Sequence, residues 1–235
     1  AGPSFALEEM GLDYLGPARH DVEFLRPVNG LGAAIPAMDH ALYERGSAVR
    51  ARAGTEVLAQ VVPPYFSRAW DHFSSHAQTP PDPTAPRDLA AVTLRGRVAY
   101  LAHPIFRAYQ LNGYSVYRQI VGALLDRLLP DPLVRLEGPT TAEVTVLRQA
   151  EAEGRAERLV CHILHYVPQR RTPDLDLVED VIPLYDVPLA VRTGWTPSAV
   201  YLAPERTPIP TTMDGAYARM RIPNVHGHAM VVLER

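Results

Sequence analysis

Proline is the residue that most restricts what this chain can fold into. There are 23 in 235 positions, about twice the ordinary share, and they are scattered as punctuation rather than gathered in one tract. Proline lacks a backbone donor and clashes with the preceding turn, so it excludes long helices from most of the chain and favours short strands between turns. One segment escapes. Tyr114, Tyr117, Ile120, Val121, Leu124, Leu125, Leu128 and Leu129 recur at three- and four-residue steps before Pro130, which predicts an amphipathic helix. Just ahead of it, residues 96–102 predict a buried strand stopping at His103-Pro104, so strand and helix read together as a parallel α/β unit.

The flanking segments read differently. Residues 1–37 are loop-rich, with a short helical candidate at 5–10, and 41–50 and 56–62 read as strands. Beyond Pro132, segments 133–136, 142–148, 158–167, 184–192, 199–202, 216–222 and 228–233 are short β candidates separated by turn clusters. Their regular spacing predicts an antiparallel sandwich, and the change of pattern places a domain boundary at 133/134.

Composition removes several function classes. A net charge of −3 with 21% charged residues excludes a nucleic-acid binder of the basic-patch kind. No apolar run approaches the ~20 residues of a membrane helix. The single cysteine, Cys161, excludes an internal disulfide and a multi-cysteine zinc site and points to a reducing, cytoplasmic setting. All 23 basic residues are arginine, so neither a catalytic lysine nor a P-loop lysine is available. The chain begins at Ala1 and runs directly into Phe5-Ala6-Leu7, which predicts a fragment or a processed product.

The candidate chemistry gathers in the polar, aromatic stretch after residue 62, which carries Tyr65, Arg68, Trp70, His72 and His76. Long loops in compact domains are usually functional or linking. His72 and His76 stand at i, i+4 and could share a metal on a helix, with Asp71 or Asp82 nearby, but a zincin needs glutamate at the second position and Phe73 stands there. Elsewhere the ordinary readings win. His162 and His165 point to opposite faces of a strand, and the His226/His228 pair reads as packing. Cys161 is mid-strand without a flanking glycine, hence a small buried residue rather than a nucleophile. Asp174, Asp176, Glu179 and Asp180 read as a solvated loop.

Two strings carry a resemblance. The run Val62-Pro63-Pro64-Tyr65-Phe66-Ser67-Arg68-Ala69-Trp70-Asp71-His72-Phe73-Ser74-Ser75-His76, followed by Gly96-Arg97-Val98-Ala99-Tyr100-Leu101-Ala102-His103-Pro104-Ile105-Phe106, resembles the region after the catalytic barrel in large bacterial glycosidase-like proteins with a β-galactosidase trimerisation domain. Residues 159–171, then 181–191, then Ile222-Pro223 with Gly227-His228-Ala229-Met230-Val231-Val232-Leu233, are similar to the small β-domain that ends those chains.

The resemblance implies a flavodoxin-like three-layer α/β domain of the class I glutamine amidotransferase type, partial here over residues 1–133, followed by a small antiparallel β-sandwich over 134–235. It implies that the glycosidase acid and nucleophile lie upstream, so that this chain contributes no catalytic residue, metal or cofactor. His103-Pro104 matches the His-Pro-Glu turn of active amidotransferases, but Ile105 replaces the glutamate and no elbow cysteine exists, so that activity is excluded.

The expectation is therefore a non-catalytic oligomerisation and support region of a glycoside hydrolase, with self-association as a homotrimer. Its partners would be the upstream barrel and a carbohydrate substrate, and neither nucleic acid nor membrane. Loop 63–82 would complete a sugar site through Tyr65, Arg68, Trp70, His72 and His76, joined by His103, since aromatic faces and hydrogen-bond donors suit sugar rings. The alternatives are a small metal-dependent hydrolase using His72 and His76, and a free-standing carbohydrate-binding module.

Overall fold

The computed structural model describes residues 5, 7–74 and 78–235, and the chain divides into two compact units, Ala1–Pro130 and Asp131–Arg235. Among the described residues no helix is long and apolar enough to cross a membrane.

The first unit is built from β1 (Leu12–Pro17), β2 (Glu23–Pro27), β3 (His40–Leu42), β4 (Ser47–Ala51), β5 (Glu56–Val62), β6 (Ala90–Arg95) and β7 (Val98–Leu101), then α1 (Ile105–Asn112) and α2 (Ser115–Leu128). Strands β1 and β4 form an antiparallel ribbon, while the other five form a sheet in the order β3-β2-β5-β6-β7. Every pairing in that sheet is antiparallel.

This overturns the flavodoxin-like, amidotransferase-like α/β domain expected over residues 1–133. A three-layer α/β fold needs parallel strands, each reached through a crossover helix. Here β7 turns straight back along β6 through Gly96-Arg97, with Gly96 at φ 56°, a left-handed conformation that glycine adopts freely in two-residue hairpin turns. The helices follow the last strand of the sheet and lead to no further strand in it. They cap one face instead: Ile105, Ala108, Val116, Tyr117, Ile120 and Leu124 pack with Leu25, Leu58, Ala91 and Val92. Strand β7 is half-buried rather than the buried strand expected.

Other local expectations also shift. The strand expected over 41–50 is two strands in different sheets, and α1 precedes the expected helix, ending at Gly113 in the left-handed region. The stretch read as loop-rich holds β1 and β2; β1 is irregular between Tyr14 and Gly16 and ends in proline, which disguises it.

The second unit contains β8 (Val134–Leu136), β9 (Ala142–Gln149), β10 (Arg158–His165), β11 (Gln169–Arg170), β12 (Asp176–Leu177), β13 (Leu184–Arg192), β14 (Ala199–Ala203), β15 (Thr207–Pro208), β16 (Thr211–Asp214), β17 (Tyr217–Val225) and β18 (His228–Glu234). A five-stranded sheet, β15-β14-β18-β10-β9, and a four-stranded one, β16-β17-β13-β8, are both antiparallel. They share one core: Leu159, Cys161, Ile163, Val231 and Leu233 from the first pack with Leu189, Val191, Met220 and Ile222 from the second. Cys161 is fully buried, and burial pushes its thiol up to about 12, so it is an inert core side chain.

One close approach in the first unit is specific. A Cβ placed on Gly46 would sit 2.5 Å from the Ala102 carbonyl oxygen and 2.6 Å from two carbons of the His103 ring. Backbone cannot retreat from such a contact without moving a strand end. Replacing glycine by alanine in a compatible conformation stabilises by about 0.4–1 kcal/mol through the unfolded chain, whereas overpacking costs about 1–3 kcal/mol. Gly46→Ala is therefore expected to lower stability by about 1–2 kcal/mol, read from urea denaturation; an unchanged or raised midpoint would show that the backbone does not hold His103 this tightly.

Candidate functional site

The segment between β5 and β6 leaves the sheet at Pro63 and is stitched shut at its base. Pro64 and Pro81 form an antiparallel bridge, the Tyr65 amide donates to the Pro80 carbonyl at 3.2 Å, and the Asp82 amide donates to the Pro63 carbonyl at 2.8 Å. The Asp82 carboxylate accepts from the Thr84 amide (2.9 Å) and hydroxyl (2.7 Å), and these bonds hold it below the usual carboxylate range. A side chain that mimics a turn in this way fixes where the loop re-enters the fold.

At the far end, Ala69 and His72 exchange both backbone hydrogen bonds, at 2.7 and 3.1 Å, so Trp70 and Asp71 occupy the tip of a tight turn. Trp70 is 92% exposed and Phe73 is also exposed. The His72 ring stands edge-on to Phe66 at 5.5 Å, and its Nδ1 lies 3.8 Å from the Asp71 carboxylate. Tyr65 and Arg68 lie exposed along the same loop. His76 falls outside the described residues. Among those described, no group of three or more histidine, cysteine, aspartate or glutamate side chains could hold a metal ion.

Beneath the base of the loop is a cavity of about 600 Å³ lined by Arg19, His20, Glu23, Tyr65, Ser67 and Asp82 among others. Its most buried polar groups are Glu23, the first residue of β2, and His20, in the segment between β1 and β2. Nδ1 of His20 is hydrogen-bonded to the Ser67 hydroxyl at 2.7 Å, tying that segment to the loop. Burial lowers the His20 pKa, and this outweighs the opposite pull of the Glu23 carboxylate, so the ring is neutral at pH 7. Glu23 is only 4% exposed, and its Oε2 accepts a hydrogen bond from Nε2 of His103 at 3.1 Å. His103 is itself buried, and its Nδ1 has no partner among the described residues.

The structure thus gathers Tyr65, Arg68, Trp70 and His72 on one loop, while His103 is buried as the partner of Glu23. Arg19, His20 and Glu23 were not singled out from the sequence. The signal available was an acid, Glu23, opening the apolar strand Glu23-Phe24-Leu25, where a charge needs a buried partner. The acidic loop at 174–180 is paired on the surface: Asp176 with Arg170, and Glu179 with Arg171. In the second unit His228 stacks on His162, with nitrogens 3.1 Å apart, while His165 meets the Thr141 hydroxyl.

No family model matches this chain, and no curated protein matches it. Solved structures do. Alpha-L-fucosidase isoenzyme 2 from Paenibacillus thiaminolyticus superposes with a TM-score of 0.84 at 25% sequence identity, covering 96% of this chain and 33% of the fucosidase. The fold is related to that of a glycoside hydrolase. The chain spans about a third of the length of that enzyme, and the likeness relates it to carbohydrate-active enzymes.

The lowered His20 pKa has a consequence for stability. Its ordinary value is 6.5, and the folded state holds the neutral ring, so the unfolded chain binds more protons as pH falls. Stability from His20 is complete above about pH 6.5 and is lost as pH drops through the folded value. His20→Gln is expected to make the fall in urea midpoint between pH 6.5 and 5 shallower; an identical slope would mean that the ring titrates freely.

Proposed function

We propose that this chain is the non-catalytic oligomerisation and support region of a glycoside hydrolase whose catalytic barrel lies elsewhere in the protein. In this reading loop 63–82 completes a sugar site on that barrel, in its own subunit or a neighbour's. The observation that carries it is the match of nearly the whole chain to one third of an α-L-fucosidase, a proportion expected of an accessory region. L-fucosides are accordingly the first substrates to test.

The loop has the character such a role needs. An exposed tryptophan beside histidine and aspartate offers an apolar ring face and hydrogen-bonding groups together, the combination that sugar rings accept. Its stitched base makes it a preformed arm rather than a slack connection. Self-association belongs to the same proposal, with a homotrimer as the assembly to test: Phe106, Tyr109 and Leu111 are exposed on α1, and apolar groups of this size favour a covering surface.

In the full-length enzyme, Trp70→Ala is expected to raise KM or lower kcat by up to about tenfold, the equivalent of ~0.5–1.5 kcal/mol for one aromatic contact, with an unchanged sedimentation coefficient. Kinetics identical to those of the unaltered enzyme would remove the loop from the sugar site.

A further inference from the structure

We propose that the cavity beneath loop 63–82 is a binding site for a neutral monosaccharide, held by His20 and Glu23. The proposal rests on the reading of the chain as part of a carbohydrate-active enzyme and adds a second sugar contact, at the base of the loop rather than its tip.

Two buried polar groups there have unused bonding capacity. His20 is 9% exposed; Ser67 takes its Nδ1, while Nε2 has no protein partner among the described residues and the ring lines the cavity. Glu23 spends Oε2 on His103, and its second carboxylate oxygen has no protein donor among the described residues, although the side chain also lines the cavity. Among the described residues the sealed, unpartnered side-chain atoms are Thr79 Oγ1 and His103 Nδ1; the His20 nitrogen and the second Glu23 oxygen instead reach solvent and are open to a ligand. A carboxylate oxygen and an imidazole nitrogen facing one space are matched by a ligand with adjacent hydroxyls, each both donor and acceptor.

Charge narrows the class. The lining carries the Glu23 and Asp82 carboxylates against the single Arg19 guanidinium, and burial keeps His20 neutral. The local balance is negative, which disfavours phosphate, sulfate and uronate and leaves neutral polyols. Shape narrows it further. Pro63, Pro64, Pro86 and Phe66 give the wall an apolar part suited to the C–H face of a pyranose, and the volume of about 600 Å³ lies within the ~300–1,000 Å³ of small-molecule sites.

The experiment titrates the chain with L-fucose and D-galactose, and with D-galacturonate as the charged comparison, following backbone amide shifts by NMR. At least one neutral sugar is expected to bind with a Kd of roughly 1–10 mM, about −3 to −4 kcal/mol, moving amides of residues 19–23 and 65–67. Galacturonate is expected to bind at least tenfold more weakly, and His20→Ala and Glu23→Gln each to weaken the neutral sugar tenfold. Because Glu23→Gln also alters the partner of His103, the shift map on the unaltered chain is the test independent of folding. No saturation by either neutral sugar, shifts confined to other residues, or equal binding of galacturonate would each overturn the site. Such a failure alongside impaired Trp70→Ala kinetics would remove the cavity site alone, whereas the converse would remove only the role of the loop tip.

Discussion

The hydrogen bond between Glu23 and His103 is the joint on which the first unit's geometry depends. It links the first residue of β2 to the turn that precedes α1, between two side chains almost sealed from water. The His103 ring fits there because Gly46 presents bare backbone to it. A buried carboxylate and a buried imidazole are each costly alone, and stranding either would cost about 1–3 kcal/mol. Together they tie β2, which pairs along β5, the strand from which loop 63–82 departs, to the turn before α1. They also hold the Glu23 carboxylate at the cavity wall, so one interaction serves both the framework and the candidate site.

The loop depends on that framework but carries its own closure. The Pro64–Pro81 bridge and the Asp82 turn fix both ends of the excursion, and the Ala69–His72 turn fixes its tip. From base to tip, Tyr65, Arg68 and Trp70 are exposed. On the proposed reading the loop contributes position to a site whose catalytic groups lie elsewhere, while the two sheets of the second unit enclose a packed core around Cys161.

The parts of this architecture that were legible share a property: their signal is local. Strand β17 alternates buried and exposed residues along much of Tyr217–Val225, and β13, β10 and β18 carry enough buried apolar residues between turns to be read directly. The aromatic loop at 63–82 announced itself by composition. What stayed hidden was pairing. A strand followed by a helix at 98–128 has the same local pattern whether the strand runs parallel or antiparallel to its neighbour; the Gly96-Arg97 hairpin decides it. The contacts of His20 with Ser67 and Glu23 with His103 span 47 and 80 positions, so no window of sequence contains either. That is why Arg19, His20 and Glu23 emerge only from the fold.

The central claim is that loop 63–82 meets bound sugar in the assembled enzyme. Hydrogen–deuterium exchange of the full-length protein, with and without a saturating non-hydrolysable L-fucoside, addresses it directly. The account predicts slower exchange in the segment 65–74 on ligand binding, with α2 unchanged. Equal exchange of that segment in both states, with protection elsewhere confirming that the ligand is bound, would contradict it.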